Sequence, residues 1–163
     1  MKSRKVFFSI VVPCYNVQDT LKETIESILK QDFNNYEIVA VDDGSSDKTT
    51  EILNNYKIKN NIKVITQSNK GLGAARNTGI KSSDGIYICL LDADDLWVPN
   101  KLTKVNEIIK NKKYALISND EIILGNKYLF YLRNNPPRSL SNLLISGNTL
   151  SPSAITIKKE IFD

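Results

Sequence analysis

Short apolar runs recur along residues 6–112, and each is followed by a stretch with apolar residues at helical spacing. The runs are rich in β-branched and aromatic residues, which is typical of strands buried on both faces. They are Val6–Val12, Tyr36–Val41, Ile62–Thr66 and Ile86–Leu91. The pattern predicts four strands of one sheet, and the first strand should end at Pro13 because proline cannot donate to a ladder.

Helix signals follow the first two runs. Asp19 and Thr20 can cap a first helix, and Glu23 lies where it would complete a capping box. The apolar face of this helix consists of Leu21, Ile25, Ile28 and Leu29. Ser46 and Asp47 open a second helix. Its apolar side consists of Ile52, Leu53 and Tyr56.

The third and fourth runs are also followed by helix-forming sequence. A third helix is predicted over Leu72–Ile80, and a fourth begins at Pro99, since proline is favoured at the first helical position. The fourth helix should turn inward Leu102, Val105, Ile108 and Ile109. Alternating strands and helices predict the fold class α/β, with a mostly parallel sheet flanked by helices.

The pattern is less regular after Tyr114. Ala115–Ser118 predicts a fifth strand, and Gly125-Asn126 predicts the turn of a hairpin. The strands of that hairpin would be Ile122–Leu124 and Tyr128–Tyr131. The remaining segments are predicted to be a loop over Arg133–Arg138, a helical turn over Leu140–Ile145 and a last strand over Ala154–Ile157.

Composition narrows the class of protein. With 163 residues and 41% hydrophobic content, residues 1–163 are predicted to form a single globular domain. The net charge of +4 and the isoelectric point near 9.0 favour an anionic ligand. The lysines are scattered rather than gathered in one stripe, which argues against nucleic acid as a partner.

The cysteines and the N-terminus bear on where the protein works. Cys14 and Cys89 lie in apolar runs without a CxxC pair, and the sequence has no histidine with which they could share a metal. They are predicted to be buried free thiols in a reducing compartment. Val6–Val12 is too short for a signal peptide or a membrane span. We expect a cytoplasmic domain, and peripheral association with the inner face of the membrane, through a region outside this sequence, stays open.

Polar segments follow all four predicted strands. They are Pro13–Asn16, Asp42–Asp47, Asn69–Gly73 and Asp92–Asp95. Ligands of open parallel α/β sheets bind outside the carboxyl ends of the strands, where loops meet and helix N-termini direct their amides at the ligand. These four segments are therefore predicted to form the functional edge.

Asp92 and Asp94 form a DxD motif, which places two carboxylates directly after a buried run. Mg²⁺ and Mn²⁺ prefer oxygen ligands, and Mg²⁺ usually takes one or two carboxylates and completes its shell with water and phosphate. The pair is therefore a candidate site for a metal diphosphate. The alternative is that Asp94 or Asp95 only caps the turn before Leu96.

Asp42, Asp43 and Arg76 are the other candidate ligand-binding residues. An acidic residue after a parallel strand often accepts hydrogen bonds from the ribose of a nucleotide. The imide N–H of a nucleotide base is a second candidate donor to these aspartates. The alternative for Asp42 and Asp43 is capping of the next helix. Arg76 follows small residues that allow close approach of a phosphate, so it is a candidate phosphate-binding residue. The alternative interpretation is an ordinary arginine on a helix surface. The GxGxxR pattern around it follows the third strand, which argues against NAD binding.

Together these segments resemble the signature blocks of the family 2 glycosyltransferases of the GT-A fold. The similar blocks are Ser9–Asn16, Val41–Asp47, Asn69–Ile80 and Leu91–Asp95. They follow the family's order and spacing. The resemblance implies a Rossmann-like GT-A nucleotide-binding fold and a hexosyltransferase-type enzyme. It also implies transfer of a sugar from a nucleotide-diphosphate sugar, with a UDP-sugar favoured, to an acceptor hydroxyl with inversion.

The resemblance further implies roles for individual residues. The nucleotide-binding residues would be Pro13, Tyr15, Asn16, Asp42, Asp43, Gly71, Arg76 and Asp92. Pro13 and Tyr15 would line the base pocket, and Arg76 would lie near the diphosphate. Asp94 would bind the metal, Mn²⁺ or Mg²⁺, and Asp92 would contact ribose or metal.

The resemblance implies an acceptor and a base as well. The acceptor would be a glycan or a lipid-linked glycan, in the synthesis of cell-surface polysaccharide. In the family, an acidic pair that supplies the base follows the region resembling Gly147–Phe162. The sequence ends at Asp163, so we expect no catalytic base within residues 1–163, and weak donor binding with little or no sugar transfer.

Three alternatives differ from a competent transferase. A nucleotide-binding module without catalysis stays open, and an acidic pair in the residues after Asp163 would argue against it. A Mg²⁺-dependent nucleotidyltransferase should have a glycine-rich, basic loop after the first strand, where this sequence has Pro13–Asn16. A phosphatase with a DxD nucleophile should carry it after the first strand rather than the fourth.

Overall fold

A computed structural model describes residues 6–60, 62–112, 114–124, 129–132 and 150–162. The helices are α1 (Leu21–Leu29), α2 (Thr49–Asn60), α3 (Leu72–Lys81) and α4 (Lys101–Asn111). The strands are β1 (Phe8–Cys14), β2 (Tyr36–Asp42), β3 (Lys63–Thr66), β4 (Tyr87–Leu90), β5 (Leu116–Ser118), β6 (Glu121–Leu124), β7 (Leu129–Leu132) and β8 (Ile155–Lys158). Short 3-10 turns flank β8 at Pro152–Ala154 and Lys159–Ile161.

The main sheet has six strands in the order β3-β2-β1-β4-β8-β5. Strands β1 to β4 are parallel, and β8 runs antiparallel to both β4 and β5. The predicted α/β class with a mostly parallel sheet flanked by helices is confirmed. Because the chain moves outward from β1 in opposite directions, a topological switch point lies between the carboxyl ends of β1 and β4, where ligands of such sheets bind.

The side chains of β1 alternate between the two faces of the sheet. Phe8, Ile10 and Val12 join the larger core cluster, to which α1, α2 and α4 contribute. Val11 joins a smaller cluster on the other face, with Ile80 of α3. Both faces of β1 are therefore buried, as its continuous apolar run predicts.

Helix α3 lies very close to the sheet at Gly79. A Cβ atom at this position would lie 2.3 Å from Val11 Cγ1 and 3.3 Å from Val41 Cγ2. Glycine is therefore required by the close approach of the helix to β1 and β2. This approach brings the N-terminal end of α3 to the functional edge.

Strand β1 continues through Pro13 to Cys14, so the predicted end at Pro13 was wrong. Leu91 N–H donates to the Val11 carbonyl at 3.0 Å, so the backbone polar groups of Val11 face β4. The backbone nitrogen of Pro13, two residues further along β1, faces β4 as well. The paired segment of β4 ends opposite Val11, so no ladder bond is lost by the missing donor of Pro13. On its other edge β1 remains paired with β2 up to Cys14.

Helix α1 begins where predicted, but the capping box is not formed. Thr20 is the N-cap residue and makes no side-chain cap bond. Its hydroxyl instead donates to the Ala93 carbonyl at 2.8 Å. Helix α2 begins at Thr49, whose N–H donates to Asp47 Oδ1 at 2.9 Å, and Leu53 is fully buried as predicted.

Helix α4 begins two residues later than predicted. The Pro99 carbonyl accepts a hydrogen bond from Asp32 N–H at 3.0 Å, and Asn100 is the N-cap residue. Three of the four predicted inward residues are buried: Leu102, Val105 and Ile109. Ile108 is 42% exposed and the prediction for it was wrong, because it lies at the margin of the face that these three define.

The later strands β5, β6, β7 and β8 form at the predicted positions to within one or two residues. Strands β6 and β7 pair antiparallel, as the hairpin prediction requires. The predicted turn at Gly125-Asn126, the loop over Arg133–Arg138 and the helical turn over Leu140–Ile145 lie outside the described residues. Within the described residues, no helix has the length and apolar character of a membrane span.

Candidate functional site

An open cleft of about 500 Å³ lies at the carboxyl ends of β1 and β4. The predicted site residues that line it are Pro13, Tyr15, Asp43, Gly71, Asp92 and Asp94. Three other predicted residues, Asn16, Asp42 and Arg76, are not part of its lining. The cleft thus combines residues that follow β1, β2, β3 and β4, as the parallel topology requires.

Asp43 is buried, and its carboxylate holds the loop that enters α3. Oδ1 accepts hydrogen bonds from Gln67 Nε2 at 2.6 Å and from Lys70 N–H at 2.9 Å, and Oδ2 accepts one from Gly71 N–H at 2.8 Å. Burial raises the pKa of Asp43, but these hydrogen bonds outweigh it, so that the pKa lies below its usual value. Asp43 is therefore an ionised acceptor in the wall of the cleft.

Gly71 is the N-cap residue of α3 and has a φ of 86°. This left-handed backbone favours glycine, although a Cβ atom there would meet nothing within 4 Å. The turn directs the Gly71 amide at Asp43 and starts α3 beside the cleft. Sequence reasoning assigned Gly71 to the nucleotide site, and the structure places it in the lining.

Asn16 and Asp42 brace the loop between β2 and α2. Asn16 Oδ1 accepts from Ser46 N–H at 2.8 Å. The fully buried Asp42 carboxylate accepts from Ser45 N–H at 2.9 Å and from the Thr50 hydroxyl. The structure thus gives Asp42 a role in holding this loop and the Thr50 side chain of α2, and Asn16 holds the same loop. The first amide of the helix is capped by Asp47 instead of Asp42.

Arg76 is paired with the first aspartate of the DxD motif. Its Nη2 lies 2.6 Å from Asp92 Oδ1, and both side chains are largely buried. Arg76 Nε is buried and has no hydrogen-bond partner. A buried guanidinium N–H without an acceptor is costly. The Arg76 side chain as a whole remains 20% exposed, so its guanidinium keeps donor capacity for an anionic ligand.

Asp94 is exposed and contributes to the cleft lining. Among the described residues, no group of three or more His, Cys, Asp or Glu side chains is arranged to hold a metal ion. A Mg²⁺ or Mn²⁺ ion bound with a diphosphate needs only one or two carboxylates, because phosphate and water supply the rest. The arrangement fits such an ion, with Asp94 as its available ligand and Asp92 engaged by Arg76.

Sequence reasoning missed Ser153, which lies beside the DxD motif in the Pro152–Ala154 turn. Its Oγ accepts a hydrogen bond from Asp92 N–H at 3.0 Å. Burial raises the pKa of the adjacent Asp95, and the carboxylates of Asp94 and Asp92 add to the effect, although a hydrogen bond with Ser153 opposes it. No local pattern in the sequence places Ser153 here, because the contact depends on the antiparallel pairing of β8 with β4.

Lys101 was also missed. It is 7% exposed, and burial lowers its pKa to about 8 although nearby acidic groups, including Glu121 and Asp95, oppose the shift. A lysine at the start of an amphipathic helix is ordinarily read as a surface residue, and only the three-dimensional packing shows otherwise.

The fold and the cleft define an α/β domain with a ligand cleft at the switch point and carboxylates after β2 and β4. The model of the family described as Glycosyl transferase family 2 matches residues 9–158. The chain therefore belongs to glycosyltransferase family 2, as the signature blocks predicted.

The chain is similar to several proteins of known name or structure. It is 38% identical over 120 residues to the UDP-Glc:alpha-D-GlcNAc-diphosphoundecaprenol beta-1,3-glucosyltransferase WfgD of Escherichia coli, covering 72% of this chain and 47% of WfgD. It is 38% identical over 122 residues to glycosyltransferase GlyG of Streptococcus pneumoniae, covering 74% of this chain and 38% of GlyG.

The fold matches the GT-A enzyme TarS of S. aureus in complex with UDP-GlcNAc. The TM-score is 0.80 at 26% sequence identity, over 96% of this chain and 46% of that chain. The GT-A fold expected from the sequence is thus confirmed. The chain spans less than half the length of each of these three proteins.

Proposed function

We propose that this chain binds a nucleotide-diphosphate sugar, with a UDP-sugar favoured, together with Mn²⁺ or Mg²⁺. The observation that carries the proposal is the exposed Asp94 carboxylate in the same cleft as the buried, ionised Asp43. One carboxylate is available to a metal ion, and the other is an acceptor fixed in the wall. WfgD is named for UDP-Glc and TarS was crystallised with UDP-GlcNAc, which supports uracil as the base.

The proposed base site lies between Pro13, Tyr15 and Asp43. Pro13 offers an apolar surface, and the half-exposed Tyr15 ring offers a face on which a planar base can stack. A uracil imide N–H is a donor that suits the Asp43 carboxylate. This part of the site should bind nucleotide without metal, although weakly.

The proposed diphosphate site lies near Arg76 and Asp94. The partly exposed guanidinium of Arg76 suits a phosphate oxygen, and Asp94 would hold the metal. When bound, the divalent ion supplies Lewis acidity that neutralises charge on the departing diphosphate. Arg76 orients Asp92 through their ion pair and so offsets one negative charge that would otherwise repel the diphosphate.

Complete transfer needs a base for the acceptor hydroxyl, on the far side of the sugar from the diphosphate. Among the described cleft residues, Asp43 is held as a hydrogen-bonded anion, Asp92 is paired with Arg76 and Asp94 is assigned to the metal. We therefore propose that this chain binds the donor and transfers little sugar by itself. The whole protein would act on a glycan or lipid-linked acceptor in polysaccharide synthesis, with inversion.

The test is calorimetric titration of the chain with UDP, in Mn²⁺ and in EDTA. We expect Mn²⁺ to raise UDP affinity in the wild-type chain by about tenfold or more, since losing even a group that only supports a metal ligand costs about 10–100-fold in metal affinity. Asp94→Ala should abolish that gain. Asp84→Asn is the matched control, because Asp84 is an exposed aspartate at the opposite end of β4, and it should titrate like wild type.

Two results would contradict the proposal. One is a folded chain that binds none of UDP, GDP, CDP and dTDP in Mn²⁺. The other is an Asp94→Ala variant that retains the full metal-dependent gain. Sugar transfer is then measured by incubating the chain with a UDP-sugar and an acceptor. Rapid transfer by this chain would exclude the alternative of a binding module without catalysis.

A further inference from the structure

Lys101, the first residue of α4, is a buried lysine, and lysine is seldom buried without partners. Its Nζ donates a hydrogen bond to the Ser153 carbonyl oxygen at 2.7 Å. The same atom lies 4.1 Å from the centroid of the Trp97 ring. The ammonium group is thus held between the Pro152–Ala154 turn and an aromatic ring that follows the DxD motif.

Ser153 connects this contact to the motif. Its carbonyl also accepts a hydrogen bond from Trp97 Nε1 at 3.2 Å, so that two donors fix one peptide group. Its hydroxyl accepts from Asp92 N–H at 3.0 Å. Because Leu91 N–H still donates to Val11 of β1, Asp92 is the first residue whose amide leaves the sheet. Ser153 therefore supplies the acceptor at the point where the DxD loop begins.

We infer that Lys101 and Ser153 are positioning residues that fix the Asp92–Asp94 loop for a metal-bridged nucleoside diphosphate. The inference rests on the proposed function and names residues of this same site that touch neither nucleotide nor metal. A ligating carboxylate must be held within a fraction of an ångström, and this depends on the groups that support its backbone. Loss of such a supporting partner commonly costs 10–100-fold in metal affinity.

A purely structural role predicts something different. If Lys101 only stabilised the fold, its loss would lower the unfolding midpoint and leave the affinity of the folded chain for UDP unchanged, with or without metal. A positioning role changes only the metal-dependent part of UDP binding. The informative quantity is therefore the ratio of UDP affinity in Mn²⁺ to UDP affinity in EDTA.

The experiment measures this ratio by calorimetry for the wild-type chain, Lys101→Met and Ser153→Ala, each under conditions where it is folded. Methionine keeps an apolar stem of similar length and removes the ammonium group. Alanine at position 153 removes the acceptor for Asp92 N–H and keeps the carbonyl. Lys104→Met is the matched control, because Lys104 lies one turn further along α4 and is exposed.

We expect the ratio to fall about tenfold in Lys101→Met and in Ser153→Ala, while UDP affinity in EDTA stays within about twofold of wild type. Lys104→Met should retain the wild-type ratio. If Lys101→Met does not fold, Ser153→Ala alone decides. An unchanged ratio in Ser153→Ala overturns the inference while the proposed function stands, whereas a wild-type chain without metal-dependent binding overturns both.

Discussion

At the scale of single residues, the cleft shows how surroundings give identical side chains different chemistry. Asp43 is buried and accepts three hydrogen bonds, whereas Asp94 is exposed. Asp42, adjacent to Asp43 in the sequence, points instead into its own loop. Sequence position identified all three as candidates, and alternation along the end of β2 decided that Asp43 rather than Asp42 faces the cleft.

The lowered pKa of Asp43 predicts a pH dependence of stability. The carboxyl group is more acidic in the folded than in the unfolded chain, so its stabilising contribution is complete above the unfolded pKa of about 3.9. It is lost as the pH falls through the lower, folded value. We expect Asp43→Asn to lower the free energy of unfolding at pH 7 by about 1–3 kcal/mol, because an amide NH₂ would face donors.

Urea unfolding from pH 7 down to about pH 2.5 measures this effect, since that window spans the unfolded aspartate pKa. The decline in stability below about pH 4 should be shallower in Asp43→Asn than in wild type. Asp84→Asn, at an exposed position, should follow the wild-type curve. Parallel curves for Asp43→Asn and wild type would show that the Asp43 hydrogen bonds do not stabilise the fold.

At the scale of elements, α3 packs closely against the sheet because Gly79 has no side chain. Gly79→Ala would place a Cβ 2.3 Å from Val11 Cγ1, so the helix or the strand must shift. We expect a loss of about 1–3 kcal/mol, as for other overpacked cores. Gly73→Ala is the matched change in the same helix, where a Cβ meets nothing within 4 Å, and it should stabilise by about 0.5–1 kcal/mol. Urea denaturation measures both, and equal effects would contradict the close packing of α3.

The elements themselves could largely be predicted from the sequence, because buried parallel strands and amphipathic helices leave strong local patterns. The four strands β1 to β4 and the order of their loops followed from that pattern alone. The end of β1 could not, since it depends on where β4 stops pairing. The burial of Lys101 and the hydrogen bond between Ser153 and Asp92 could not be predicted from the sequence either, because both depend on where β8 enters the sheet.

At the scale of the whole molecule, the reactivity of the two cysteine thiols measures how tightly the core is packed. Cys14 and Cys89 are free and buried, as predicted. Burial raises the pKa of the Cys89 thiol to about 11, and burial also raises the pKa of Cys14, so thiolate is scarce at pH 8. We expect DTNB to label the native chain at pH 8 at least 100-fold more slowly than the urea-unfolded chain, on an order-of-magnitude estimate from unfolding equilibria. Rapid labelling of one thiol under native conditions would show that its face of the core opens locally.

The position of β8 sets an order in which the site can be completed during synthesis. In the described sheet, β8 lies between β4 and β5, so β5 gains its neighbour only after residues made much later have emerged from the ribosome. Chains fold from the N-terminus as they are made, so β1 to β4 and Asp43 are available first. A nascent chain stalled before Ser153 would present the Asp92 amide without its acceptor. Such a chain would form the Asp43 side of the cleft before the Asp92–Asp94 loop had its supporting contact.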